Sequence, residues 1–155
     1  MGGIYALIKA KNIIKHGAAR CRFATRRKSE KYNREIYMEI KVNALVLRAA
    51  DYGENDKILT LLTAERGKLS AGIKGVKKAG AKLKFAAQPF CLAEYILACR
   101  GSRYTVVQAS ESESFYDIRC DISKFYAASA LSEAAAALTY EDDPSPQMFL
   151  YAVEG

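Results

Sequence analysis

A mainly β plus α fold, with five short strands and then the start of a helical segment, is what the sequence predicts. Three observations carry that expectation. Short aliphatic and β-branched runs, separated by Gly, Asp and Asn turn signals, recur from Met38 to Ser112. After Phe115 the apolar spacing changes from the two-residue period of a strand to the roughly 3.6-residue period of a helix. No apolar run reaches the roughly 18 residues that a membrane-crossing helix requires.

The first 37 residues stand apart from this pattern. They hold ten Lys/Arg against Glu30 and Glu35, with Ile4, Leu7, Ile8 and Lys11 at helical spacing ahead of the basic run RCRFATRRKSEKYNR. Such an Arg-rich, acid-poor stretch has the composition of a targeting segment. We expect residues 1–37 to be an upstream extension outside the native fold, with Met38 the physiological start; a basic DNA-binding arm is the minority reading.

Ile40–Arg48 (IKVNALVLR) is the first expected strand, and DYGEND supplies its turn. Lys57–Thr63 is the second, and AERG is a tight connection in which Gly67 can take a positive φ. In Lys68–Lys74, Leu69, Ala71 and Ile73 alternate with Lys68, Ser70, Gly72 and Lys74, the pattern of a half-buried strand. A connection with a helical turn around Ala79–Phe85 follows, then strands at Pro89–Cys99 and Tyr104–Ser112. Three strands, a crossing connection and two more strands is the layout of an OB-fold barrel, expected over residues 38–115. An SH3-like barrel is the alternative that periodicity leaves open. Beyond it, residues 116–155 are expected to begin a helical domain. Asp121 can cap a helix to about Tyr140 whose apolar residues spread around most of its circumference, so it needs neighbours on more than one side. EDDPSP breaks it, and Ser145–Pro146 is a cap and first-turn pair for another helix.

The charge is unevenly placed. Residues 66–107 carry nine basic residues against Glu94 alone, whereas residues 108–155 carry two against nine acids. Such a dipolar body steers a polyanion to one face. Asp142 and Asp143 are expected on the acidic side, where they leave polyanion binding unaffected. The basic part peaks in GIKGVKKAGAKLKF, residues 72–85, with five lysines and no acid. Either these ammonium groups are merely solvated or an anionic polymer docks on them. Convergence with the flanking positives favours docking. Arg66, Lys68, Lys74, Lys77, Lys78, Lys82, Lys84, Arg100 and Arg103 are the candidate backbone-binding residues, since an OB barrel uses its strand 2–3 face and adjoining loops for single strands. Tyr52, Phe85 and Tyr104 are candidate base stackers, each weighed against a role in packing.

Chemistry of other kinds finds little support. The single histidine, His16, lies in the extension, and Cys21, Cys91, Cys99 and Cys120 form no CxxC pair, so no cofactor and no metal is expected. Cys91 and Cys99 are expected on one strand face as buried free thiols in a cytoplasmic protein. GIKGVKKAG lacks the GK[ST] ending of a phosphate loop, and the acid pairs Glu111/Glu113 and Asp142/Asp143 lie in polar segments, so no enzyme is expected.

The residues also resemble a family. The D-Y-G-E-x-D turn (Asp51 to Asp56), the Leu-Thr-x-Glu-x-Gly-Lys turn (Leu62 to Lys68), the K-G-x-K-K element (Lys74 to Lys78) and Gln88-Pro89-Phe90 together look like the N-terminal part of RecO, the bacterial recombination and repair mediator. The resemblance covers about Val42 to Ala152 and leaves residues 1–37 without a counterpart. It implies an OB barrel that binds single- and double-stranded DNA and anneals strands. It further implies work with RecR and single-strand-binding protein in loading RecA, without catalytic residues. An RNA-binding barrel of the translation apparatus and a protein-interaction adaptor are the readings it competes with.

Overall fold

In the computed structural model, which describes residues 38–154, Met38–Tyr52 (β1) is one long strand serving two partners. Its first half pairs antiparallel with Leu92–Arg100 (β4), from Met38↔Cys99 to Leu45↔Leu92. Its second half pairs antiparallel with Asp56–Thr63 (β2), and a register shift between Val46 and Arg48 lets the strand turn from one neighbour to the other. An extra residue in one strand raises the local twist, which is how a short sheet curls on itself. β2 pairs with Gly67–Ile73 (β3), and β4 pairs with Arg103–Glu113 (β5). Parallel pairing of β3 with β5, Ala71↔Tyr104 and Gly72↔Thr105, completes a closed barrel in the order β1-β2-β3-β5-β4. The expected OB-type barrel is therefore present, followed by helices Tyr116–Cys120 (α1), Ile122–Leu138 (α2) and Pro146–Glu154 (α3).

Two apolar clusters hold these parts. Val42, Ala44, Val46, Leu59, Leu61, Leu69, Ala71, Ile73, Tyr95 and Leu97 fill the barrel interior. Leu45, Leu47, Leu62 and Leu92 point outward from the same strands onto Ala135 of α2 and Phe149 and Val153 of α3. Residues 44–47 are thus buried on both faces, which is why ALVL lacks alternation. Tyr95, the largest side chain of the interior, donates its hydroxyl to Ala86 O at 2.8 Å, which satisfies the one polar group it buries.

Several boundaries differ from the expected ones. β1 runs past Arg48 because Asp51 and Tyr52, polar residues that resemble a turn, pair across a hairpin with Lys57 and Asp56. β4 begins at Leu92 rather than Pro89, since Phe90 sits at φ 63° and sends its N–H to Val46 O at 2.8 Å. The expected helical turn at Ala79–Phe85 is instead a series of turns ending in a 3-10 turn at Phe85–Ala87. Cys91 precedes β4; it is buried, and burial, reinforced by Glu111, pushes its thiol up to about 11. Cys99 is only half-buried and Cys120 is exposed, so the expected burial of both strand thiols fails at Cys99. Asp121 caps α2 as expected, accepting from the N–H groups of Ser123 and Lys124 at 2.9 and 3.2 Å, although α1 directly before it was not foreseen. The basic extension with His16 and Cys21 lies outside the described residues.

Candidate nucleic-acid interface

The glycine-lysine stretch leaves β3 at Ile73 and runs beside the β1–β2 turn, residues 53–55. Two bonds fix it there. Gly75 N–H donates to Asp56 Oδ1 at 2.7 Å, and Lys77 N–H donates to Asn55 O at 3.1 Å. Gly75 takes a φ of 66°, a conformation that suits glycine, and Val76 drops into the barrel core. With the apolar residue turned in, Lys74, Lys77 and Lys78 are turned out, and Lys82 and Lys84 are exposed further along the connection. Lys84 donates to Ala79 O at 3.0 Å. The stretch is therefore an anchored basic ridge.

A second basic group lies along β3 in the other direction. The parallel register sets the start of β5 beside Ala71, so the β4–β5 turn, where Arg100 pairs with Arg103, lies back toward the β2–β3 turn. Arg66 of that turn donates to Tyr104 Oη at 3.4 Å and lies 3.6 Å from Asp142 Oδ1. Between the two groups lies the outer face of β2 and β3, where Ile58 pairs with Gly72 and Thr60 with Ser70. Gly72, Ser70 and Thr60 keep most of this floor low, with Ile58 its one bulky residue, while the cations stand at both sides. Toward α2 the floor opens into a cleft of about 680 Å³ that includes Arg48, Thr60, Ser70, Phe125 and Glu133.

Of the nine basic candidates, Lys68 is the one turned elsewhere. Its ammonium donates to Ala136 O at 2.8 Å, in the last turn of α2, where a cation also meets the negative end of the helix dipole. Of the three aromatic candidates, Tyr52 is 63% exposed at the end of β1, whereas Phe85 and Tyr104 pack on the barrel core. Burial raises the Tyr104 phenol above its ordinary value and Asp142 adds to this, against the opposing Arg66.

Acids also stand around this face, which charge along the sequence does not predict. Asp51 holds Lys77 at 2.9 Å and Lys57 at 3.7 Å, and its carboxyl lies below the usual range, chiefly through the Lys77 hydrogen bond. Asp142, expected on a remote acidic side, instead faces Arg66. The Leu-Thr-x-Glu-x-Gly-Lys turn also proves to be a joint with the α2–α3 connection. Lys68 N–H donates to Tyr140 O at 3.1 Å, Gly67 bridges Glu141, and Thr63 Oγ1 donates to Gly67 O at 3.0 Å.

In that same turn Glu65 Oε2 is buried with no hydrogen-bond partner among the described residues, and burial raises its carboxyl pKa. A raised carboxyl favours the fold at low pH, and this contribution is lost as pH climbs from the unfolded value through the folded one. Glu65→Gln is therefore expected to raise the urea midpoint at neutral pH, with the gain shrinking toward acid. An equal gain at all pH values would show that the carboxylate is not penalised by burial.

Residues 38–115, half of the chain, match the family described as Recombination protein O N terminal. The chain belongs to the RecO family. Its relatives include a protein named DNA repair protein RecO from Desulfitobacterium hafniense, 40% identical over 107 residues, which is 69% of this chain and 39% of that one. Proteins of the same name from Heliobacterium modesticaldum and Myxococcus xanthus are 44% and 37% identical, over 60% and 69% of this chain and 34% and 44% of theirs. The chain thus matches less than half the length of these RecO proteins.

Proposed function

We propose that the protein is a DNA-binding module of repair and recombination that helps complementary strands anneal, with no covalent step of its own. The observation that carries this reading is the pair of basic groups standing on either side of the low β2–β3 face of a closed barrel. Phosphates meeting these cations release counterions, which supplies affinity without sequence preference. Two strands held with their backbone charge neutralised approach one another more readily. The 63% exposure of Tyr52, beside the ridge, supports a role for its ring in stacking on a base. Membership of the RecO family supports the same reading, and it extends to double-stranded DNA, to RecA loading with RecR and single-strand-binding protein, and to a cytoplasmic place of work. Among the described residues no helix is long and apolar enough to cross a membrane.

The test is the salt dependence of binding to a labelled oligothymidylate. Replacing Lys74, Lys78 and Lys82 together by Ala is expected to lower the slope of log K against log salt by roughly 2, at about 0.7 per phosphate contact on single strands. The fold is expected to persist, because all three side chains are exposed. An unchanged slope with an intact circular dichroism spectrum would mean that the ridge is only solvated.

A further inference from the structure

We propose that Asp51 is a built-in competitor for DNA phosphates, occupying Lys77 and Lys57 and so holding down the affinity of one side of the basic face. The inference rests on the DNA-binding reading above. Its geometric basis is that each oxygen of the carboxylate faces a different ammonium, Oδ2 at 2.9 Å from Lys77 and Oδ1 at 3.7 Å from Lys57. A phosphate bridging two lysines would present its oxygens in the same way. Among the described residues Lys77 is also the one lysine of the ridge with a carboxylate in reach.

A purely structural role for Asp51 is hard to sustain. The ridge is already fixed by the Gly75–Asp56 and Lys77–Asn55 bonds and by buried Val76, none of which involves the Asp51 side chain. Exposed ion pairs contribute little to stability, so a phosphate can displace this one. The displacement still subtracts from binding, because the lysine loses an existing partner and an anion remains beside the incoming phosphate. Across the floor an acid also meets the basic group, through a single contact of Asp142 with Arg66 at 3.6 Å. Each basic group therefore carries one acid of its own. A module that brings strands together and then releases the duplex gains from such moderation, since an unopposed cationic face would retain its product.

The experiment measures anisotropy of the labelled oligothymidylate with the full chain over a salt series. Asp51→Asn is expected to bind about 3- to 10-fold tighter at low salt, with a slope steeper by roughly 0.7, one more phosphate contact. Lys77→Ala alone should change the slope little, whereas in the Asp51→Asn background it should abolish the gain. Asp117→Asn, an equal change of net charge on exposed α1, should leave binding as it was. Unchanged or weaker binding by Asp51→Asn, while the triple lysine variant still flattens the slope, overturns the competitor role and leaves the DNA-binding reading standing. No response from the triple lysine variant overturns both.

Discussion

Gly67→Ala is expected to cost about 3 kcal/mol or more of stability, from backbone strain and overpacking together. Gly67 has a φ of 62°, and an added Cβ would fall deep inside the Asp143 carbonyl oxygen and 2.8 Å from Tyr140 O. These are backbone atoms, so relief requires moving the α2–α3 connection as a whole. That movement would break the Lys68–Tyr140 bond and tilt α3 out of its seat. Gly53 is the matched control: its φ is 66°, yet nothing lies within 4 Å of its virtual Cβ. Gly53→Ala should therefore lose only the left-handed backbone term, about 1 kcal/mol. Guanidinium unfolding followed by circular dichroism measures both. Similar losses at the two positions would show that the close approach at Gly67 is not a constraint.

Phe149→Ala is expected to cost about 3–5 kcal/mol, the usual range for emptying a buried aromatic site. Phe149 is completely buried in α3 against Leu45, Leu47, Leu62 and Leu92 on the outside of the barrel. The barrel interior is a separate cluster, so the damage should concentrate on the helices. Brief chymotrypsin treatment should then cut the variant rapidly at Tyr140 and Tyr151, both already exposed, and leave the barrel as a surviving fragment. Resistance equal to that of the parent chain would mean that α3 is held by something other than this side chain.

Where local chemistry decides a feature, the sequence made it readable. Alternation in KLSAGIK, turn residues at Gly67, the cap at Asp121 and the Ser145–Pro146 start all appear where local rules put them. The ridge lysines were readable for the same reason, because charge density is a local property. What escaped reading depended on partners distant in the chain. Asp51 and Asp56 look like turn formers, and their second role appears only once the hairpin meets residues 75–77. Lys68 looks like a wet-face lysine until α2 brings Ala136 O to it. The acidic neighbours of Asp142 in sequence point to a separate acidic side, whereas the fold sets it against Arg66.

The closing pairs of the barrel bear on how the chain acquires its shape. β1 meets its second partner only when Met38 finds Cys99, and the last gap shuts only when β5 lies beside β3. On a ribosome, β1, β2 and β3 can form a three-stranded sheet early, but with the free side of β3 exposed until residues beyond Tyr104 have emerged. An open strand edge is a template for pairing with another chain. The segment that emerges next is the lysine-rich ridge, which carries no acid from residue 72 to residue 85. Like charges repel at close approach, within a Debye length of about 8 Å, so a second copy trying to align along that open edge would bring its own ridge against this one. The residues proposed to meet DNA in the finished protein would then already have served a purpose before there was a barrel to present them.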